Sequence, residues 1–193
     1  AENLRYMTQL QSINLQNSNL ERFTNNESPA NQIKHWTVFC DSLVALKHTL
    51  CELNLFCLPN ALHNDETALE ICCMVAATIG QLKLLKILVY RCSAFNEMKV
   101  LARSLPNLQK LENLEIYHKA CGEIIEALGE LISLRNLALK HADTSSDDTS
   151  NSTKSIGAQL GRAIAKIAKK QHDQSFYYKL QGKATCRLPV FEH

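Results

Sequence analysis

The stretch that begins at Leu82 repeats one spacing of apolar residues three times. It reads LKLLKILVYRCSAF, then LQKLENLEIYHKAC, then LISLRNLALKHADT. The aligned positions in the three copies are Leu85, Leu88, Tyr90, Ser93 and Phe95; Leu111, Leu114, Ile116, Lys119 and Cys121; and Leu134, Leu137, Leu139, Ala142 and Thr144. Residues 10–20 and 50–60 follow the same spacing. Each copy predicts a short strand, and FYYKL at residues 176–180 predicts one more.

Helical periodicity separates these strand segments. Ser28 and Pro29 mark a helix start, because the hydroxyl caps free N–H groups and proline at the first helical position misses no donor. Apolar residues then run from Ile33 to Leu50 at steps of three and four, which predicts a helix of about five turns. The same periodicity predicts helices after each later strand. Strands that alternate with helices predict a parallel sheet, and the short repeat period favours a curved solenoid.

The predicted organisation is a single domain over residues 1–193 with about five to six irregular repeats. Residues 142–153, ADTSSDDTSNST, are predicted to form a flexible loop, because they bury too little apolar surface to offset their ordering entropy. Residues 171–193 are predicted to cap the open C-terminal end of the core. We expect the chain to be a monomer.

The leucine spacing resembles the leucine-rich repeat family, and more closely its ribonuclease-inhibitor-like branch. The resemblance implies a right-handed α/β solenoid with a parallel β-sheet on the concave face and helices on the convex face. The repeats depart from the family's regularity, since equivalent strand positions from Leu15 to Leu139 are separated by 40, 35, 26 and 23 residues. The family's asparagine or cysteine is replaced at Ser18, Leu58, Ser93, Lys119 and Ala142. Irregular, cysteine-tolerant repeats are also similar to those of effectors that intracellular bacteria deliver into host cells.

The third repeat permits two registers. Leu88 and Tyr90 face the core in one of them, whereas Ile87 and Val89 do so in the other. A one-residue slip turns every side chain of a strand to the opposite face. The choice therefore decides which residues a partner would meet, and the sequence leaves it open.

The candidate partner-binding residues lie between the regular leucines, on the predicted concave face. They are Asn54, Phe56, Arg91, Glu115, Tyr117 and Lys140. Aromatic and guanidinium groups dominate protein interfaces because they bury much area at little entropic cost. Arg91 can instead simply stack on Tyr117 across adjacent strands. Both interpretations stay open at this point.

Composition argues against several classes of partner. The chain carries 21 Lys and Arg against 19 Asp and Glu, so no overall field favours nucleic acid or an acidic membrane. No apolar run approaches the roughly 18 residues of a membrane span. The start, AENLRYMTQL, lacks the basic and apolar regions of a signal peptide.

The eight cysteines favour a reducing, cytoplasmic setting rather than a disulfide framework. Cys40, Cys72 and Cys73 fall in apolar helical patterns, where a free thiol behaves as a small hydrophobe. His118 and Cys121 are three residues apart and suggest a nucleophile pair, but Cys121 falls on an apolar position of its repeat.

No metal or cofactor is expected. Cys57, Cys92, His118 and His141 share one offset in successive repeats, yet they are 35, 26 and 23 residues apart and no C-x-x-C pair occurs. Phosphate-binding, nucleophile-elbow and zinc-protease motifs do not occur either.

The sequence therefore predicts a non-catalytic module that binds a protein through its concave face. One role for such a module is that of a secreted effector in the host cytoplasm. Two alternatives remain: the sensing or substrate-recognition part of a larger immune receptor or ubiquitin-ligase adaptor, or an enzyme in which the solenoid selects the substrate and Cys121 or a further domain does the chemistry.

Overall fold

The computed structural model describes residues 6–16, 27–55, 66–91, 95–117, 122–140, 159, 161–167, 169 and 177–181. These residues contain six strands: β1 (Ser12–Asn14), β2 (Glu52–Leu55), β3 (Ile87–Arg91), β4 (Asn113–Tyr117), β5 (Asn136–Lys140) and β6 (Tyr177–Gln181). They form one parallel sheet in which the strands follow each other in chain order. The prediction of an α/β fold with a parallel sheet is confirmed.

Helices fill the connections between the strands. They are α1 (Pro29–Ala45), α2 (Glu66–Ile79), α3 (Phe95–Ser104) and α4 (Gly122–Leu128), with a 3-10 turn at Leu105–Asn107 and helical residues at 161–167. Among the described helices, none is long and apolar enough to cross a bilayer. The predicted start of α1 is confirmed, since the Ser28 side chain accepts a hydrogen bond from Asn31 N and Pro29 is the first helical residue.

Helix α1 is shorter than the sequence predicts, because it ends at Ala45 rather than at Leu50. Leu46 N donates to Leu43 O, and Leu50 N donates to Leu46 O at 2.8 Å. These turn hydrogen bonds join residues three or four apart, which is also the spacing of a helix. A prediction from apolar periodicity alone therefore includes the residues of the turn in the helix.

The same turn recurs at the end of each described helical segment that leads to β2, β3, β4 or β5. A buried leucine donates its N–H to the carbonyl three residues before it, at 2.9 to 3.1 Å. These leucines are Leu46, Leu82, Leu108 and Leu131. Units of unequal length thus enter the sheet through one shared turn geometry.

A second shared pattern joins neighbouring units. The carbonyl just before one strand accepts the N–H groups of two consecutive residues at the start of the next strand. Cys51 O accepts from Lys86 N at 2.7 Å and from Ile87 N at 3.0 Å. The carbonyls of Gln11, Lys86 and Glu112 act in the same way. Each such carbonyl joint, in which one carbonyl accepts two N–H groups, fixes the register between neighbouring strands.

Alternation along the strands divides the sheet into two faces. One set of side chains packs with the helices in a single apolar core: Ile13, Leu53, Leu55, Leu88, Tyr90, Leu114, Ile116, Leu137 and Leu139. The residues between them are half-buried or exposed, and we call their side the open face. Leu15, an inward position of the first repeat, follows the end of β1 and packs against this core although it is only half-buried. The third repeat uses the register that buries Leu88 and Tyr90.

Parts of the predicted organisation fall outside the described residues. These are the loop at 142–153 and, apart from β6, the cap at 171–193. The predicted last strand at 176–180 is confirmed with a shift of one residue, because β6 is Tyr177–Gln181 and pairs with β5.

Gly80 should tolerate no side chain, because it lies where the end of α2 meets the end of α3. A Cβ atom built on Gly80 would lie 2.8 Å from the Ser104 Cβ and 3.2 Å from its Cα. We expect Gly80→Ala to lower the free energy of unfolding by about 1–3 kcal/mol, measured by urea denaturation. Gly161→Ala is the matched control, since nothing lies within 4 Å of that position. Equal stability of the two variants would contradict the close approach.

Candidate protein-binding face of the sheet

The pairing of the strands brings four of the six candidate residues into two rows on the open face. In the first row Asn54 pairs with Val89, and Val89 pairs with Glu115. In the second row Arg91 pairs with Tyr117. Arg91 is exposed, whereas Asn54, Glu115 and Tyr117 are half-buried. Adjacent strands are about 4.8 Å apart, so Arg91 and Tyr117 are direct neighbours.

The other two candidates are only partly defined. The backbone of Lys140 pairs with Tyr117 and so extends the second row, but its side chain lies outside the described part of the structure. Phe56 lies outside the described residues altogether. Their places in the binding face stay predictions.

A depression of about 340 Å³ lies over β3, β4 and β5 on this face. Three residues from each strand line it: Ile87, Leu88 and Val89; Asn113, Leu114 and Glu115; and Asn136, Leu137 and Ala138. Leu88, Leu114 and Leu137 belong to the core, so the open-face side chains of the lining are the other six. Such a volume is at the lower end of the range for binding pockets.

The sequence analysis did not single out Ile87, Asn113 and Asn136, which form a third row on the open face. Strand alternation could have identified them, because each lies two residues before a first-row position and therefore on the same face. The sequence analysis favoured aromatic and charged residues and therefore omitted one isoleucine and two asparagines. The depression itself arises only where the first and third rows lie side by side.

Polar side chains link neighbouring strands across the open face. Asn136 Nδ2 donates to Asn113 Oδ1 between β5 and β4. Ser12 Oγ donates to Glu52 Oε2 at 3.1 Å, and Asn54 Nδ2 donates to Gln16 Oε1 at 3.5 Å. These contacts restrict the side chains that they join, and a surface with ordered side chains loses less entropy on binding.

The described cysteines are free thiols: Cys40, Cys51, Cys72 and Cys73. Two of them, Cys40 and Cys73, lie in settings that disfavour the thiolate. Burial raises the pKa of Cys40 above its ordinary value, against the lowering effect of a hydrogen bond with Thr78. Burial and then the negative charge of Glu97 raise the pKa of Cys73. A nucleophilic cysteine needs the opposite shift.

Other candidates for thiol and metal chemistry lie outside the described residues. They are Cys57, Cys92, His118, Cys121 and His141. Within the part of the chain that the structure describes, no group of three or more His, Cys, Asp or Glu side chains is placed to hold a metal ion.

Comparison with known proteins relates the fold to one kind of solved structure. Neither a protein-family model nor a curated protein matches this sequence. Among solved structures, the chain is similar to leiomodin-1 actin-binding site 2, with a TM-score of 0.50 and 14% sequence identity. The similarity covers 89% of this chain and 91% of that one. At this identity the similarity concerns the fold alone.

Proposed function

We propose that this chain is an irregular leucine-rich repeat solenoid that binds a protein partner through the open face of its sheet, which would be its concave face. The recurring leucine turn and the recurring carbonyl joint support the repeat assignment, because they are the same in units of different length. The observation that carries the binding proposal is the open face itself. There an Arg91–Tyr117 row lies beside a depression lined partly by apolar side chains.

The composition of the face suits a protein better than a small molecule. Arginine and tyrosine are enriched among the residues that supply most of the binding energy at protein interfaces. Ile87 and Val89 are half-buried and add apolar surface, while Glu115 and Asn54 add polar groups. In the proposal, Phe56 and Lys140 extend this surface at the same end of the strands as Arg91.

In this proposal the chain binds and does not catalyse; the raised pKa values of Cys40 and Cys73 disfavour these two thiols as nucleophiles. Free thiols at four positions suit a reducing compartment such as the cytoplasm. We propose that the chain acts there either as an effector in a host cell or as the recognition part of a larger receptor or ligase adaptor. The two roles differ in their partners, so identification of the partner distinguishes them.

A capture experiment with two matched double variants tests the proposal. The face variant carries Arg91→Glu and Tyr117→Ala. The helix variant carries Lys99→Glu and Phe95→Ala, because Lys99 lies 4.5 Å from the Phe95 ring centroid on α3, away from the sheet. Each variant therefore loses one aromatic ring and reverses one cation. Circular dichroism and thermal melting establish that both are folded.

We expect a protein from eukaryotic cell lysate to be retained by the unaltered chain and by the helix variant but not by the face variant. With the purified partner, the face variant should bind at least about thirtyfold more weakly, which corresponds to a hot-spot loss of about 2 kcal/mol. If the face variant retains the partner and the helix variant loses it, binding occurs on the helices and the proposal is wrong.

Purified actin is a defined protein to include in the same comparison. The similar solved structure is titled as an actin-binding site of leiomodin-1, and the shared fold makes actin a concrete candidate partner. Binding that the face variant abolishes would identify actin as the partner. Binding that both variants retain would place actin on another surface.

A further inference from the structure

Four turn segments lie side by side along the edge of the sheet where the strands begin. Each runs from the end of a helical segment to the start of the next strand, and strands β2 to β5 are paired in register. The segments are residues 46–51, 80–86, 108–112 and 129–135, and we call them together the turn edge. Adjacent strands are about 4.8 Å apart, so the turn edge is about 14 Å long from β2 to β5.

The net positive charge of the turn edge exceeds that of the whole chain. With its histidine neutral, the turn edge has five cations and two carboxylates, hence a net charge of +3. The net charge of the chain is +2, so the rest of the chain carries −1. The cations are all exposed, and they are Lys47, Lys83, Lys86, Lys110 and Arg135. Exposed like charges along one edge create a field that attracts anions.

Both carboxylates of the turn edge are already paired. Glu112 Oε1 lies 3.8 Å from Lys86 Nζ. Glu130 accepts a hydrogen bond from Lys166, which lies outside the turn edge. Within the described residues, four cations of the turn edge form no ion pair with a carboxylate: Lys47, Lys83, Lys110 and Arg135. Their charge is therefore available to an external anion.

Stabilisation of helix ends does not explain the placement of Lys83 and Arg135. A cation stabilises a helix through its dipole mainly within the last turn. The last turns of α1, α2 and α4 contain no basic residue. Lys83 follows the end of α2 by four residues, and Arg135 follows the end of α4 by seven. Contact with another molecule explains these exposed cations better.

The size of the turn edge limits the kind of anion that it can bind. An extended peptide advances about 3.4 Å per residue, so about four to five residues cover the 14 Å. A nucleic acid or a membrane surface would reach beyond the turn edge and meet the rest of the chain, whose net charge is negative. A short acidic peptide segment, in contrast, meets the cations alone.

We propose that the turn edge binds a short segment of a protein partner, about five residues long and rich in Asp and Glu. The segment crosses the beginnings of β2 to β5. Its carboxylates accept charge-assisted hydrogen bonds from Lys47, Lys83, Lys110 and Arg135. This inference goes beyond the proposed function, because the turn edge lies at the opposite end of the strands from the Arg91–Tyr117 row.

Short peptides test the turn edge without knowledge of the partner. The isotopically labelled chain is titrated with hexaglutamate, with hexaglutamine and with a thymidine hexanucleotide at about 150 mM salt, where the Debye length is about 8 Å. The amide resonances of the turn edge are followed by NMR. We expect saturable shifts there with hexaglutamate, and binding of the other two compounds that is at least about tenfold weaker. No saturable shift with hexaglutamate, or equal binding of either other compound, would overturn the inference.

Two double variants with the same change of charge identify the groups responsible. The edge variant carries Lys83→Glu and Arg135→Glu. The control variant carries Lys34→Glu and Arg162→Glu, which replace exposed residues outside the turn edge. Lys34 is eleven residues before the end of α1, about 16 Å along the helix. Circular dichroism establishes that both variants are folded.

We expect the edge variant to bind hexaglutamate at least about tenfold more weakly, and the control variant to bind it within about twofold of the unaltered chain. Equal weakening in the two variants would show that only the net charge of the chain matters. That result, or unchanged binding by the edge variant, contradicts the inference.

The face variant separates this inference from the proposed function. Arg91 is five residues beyond Lys86, about 17 Å away along the strand, so the Arg91→Glu, Tyr117→Ala variant should bind hexaglutamate as the unaltered chain does. If the edge variant binds hexaglutamate unchanged while the face variant loses the captured partner, this inference fails and the proposed function stands. If only the edge variant loses hexaglutamate and no protein depends on the open face, the proposed function fails and the turn edge stands.

Discussion

A Leu88→Ala substitution is expected to lower the free energy of unfolding by about 2–5 kcal/mol, whereas Val89→Ala beside it should cost about 1 kcal/mol. Leu88 is completely buried and pairs with Leu53 on β2 and Leu114 on β4, which are also in the core. Val89 lies on the open face and is half-buried. Removing the leucine therefore leaves a cavity, while removing two methyl groups from the valine mainly changes contact with solvent.

Urea unfolding followed by circular dichroism measures both changes. Val89→Ala is the matched control, because it lies in the same strand and also truncates a side chain to alanine. If Val89→Ala were the more costly substitution, β3 would have the opposite register, and Ile87 and Val89 would be in the core. The open face described above would then be wrong at β3, because its Ile87, Val89 and Arg91 would be displaced.

The sequence alone could not decide this register, because both sets of residues in β3 are apolar. The decision comes from the neighbouring strands. Leu53 and Leu55 on one side, and Leu114 and Ile116 on the other, fix which positions of β3 face the helices. Pairing between strands is a long-range property, and a pattern within one strand contains no information on it.

The elements themselves were more predictable than their ends. Leucine alternation predicted the strands, and Ser28 with Pro29 predicted the start of α1, because these signals act within a few residues. The end of α1 was predicted too late, since the turn that follows Leu46 repeats the helical spacing.

The candidate site was predictable as two rows but not as a surface. Strand alternation was sufficient to predict that Asn54, Glu115 and Tyr117 share a face, whereas the place of Arg91 depended on the register of β3. The depression depends on how two rows from three strands lie together, and on the small size of Ala138. The volume of the depression depends on tertiary packing, so the spacing of residues in the sequence cannot predict it.

The second large effect is expected at the buried pair of Tyr90 and Glu97. The Tyr90 hydroxyl donates to Glu97 Oε1 at 2.6 Å, and both residues are completely buried. Tyr90→Phe preserves the ring but withdraws this donor from a buried carboxyl oxygen. We expect it to lower the free energy of unfolding by about 1–3 kcal/mol. Urea unfolding of the purified variant provides the measurement.

A double-mutant cycle shows whether the loss of stability in Tyr90→Phe comes from the Tyr90–Glu97 hydrogen bond. Glu97→Met fills similar space without a polar atom, and replacement of a buried polar pair by apolar groups is often close to neutral. We therefore expect the double variant Tyr90→Phe, Glu97→Met to lose less unfolding free energy than the two single variants lose in sum. Strict additivity of the two changes would show that the hydrogen bond contributes nothing to folding.

The pKa of Cys73 provides an independent test of Glu97 in the folded state. Burial raises this pKa first, and the negative charge of Glu97 raises it further. Glu97→Gln removes the charge but keeps an oxygen for the Tyr90 hydroxyl, so the pKa of Cys73 should fall while remaining above its ordinary value. Alkylation of Cys73, followed by mass spectrometry across a range of pH, should therefore begin at lower pH in this variant. An unchanged alkylation profile would mean that the charge of Glu97 does not contribute to the raised pKa of Cys73.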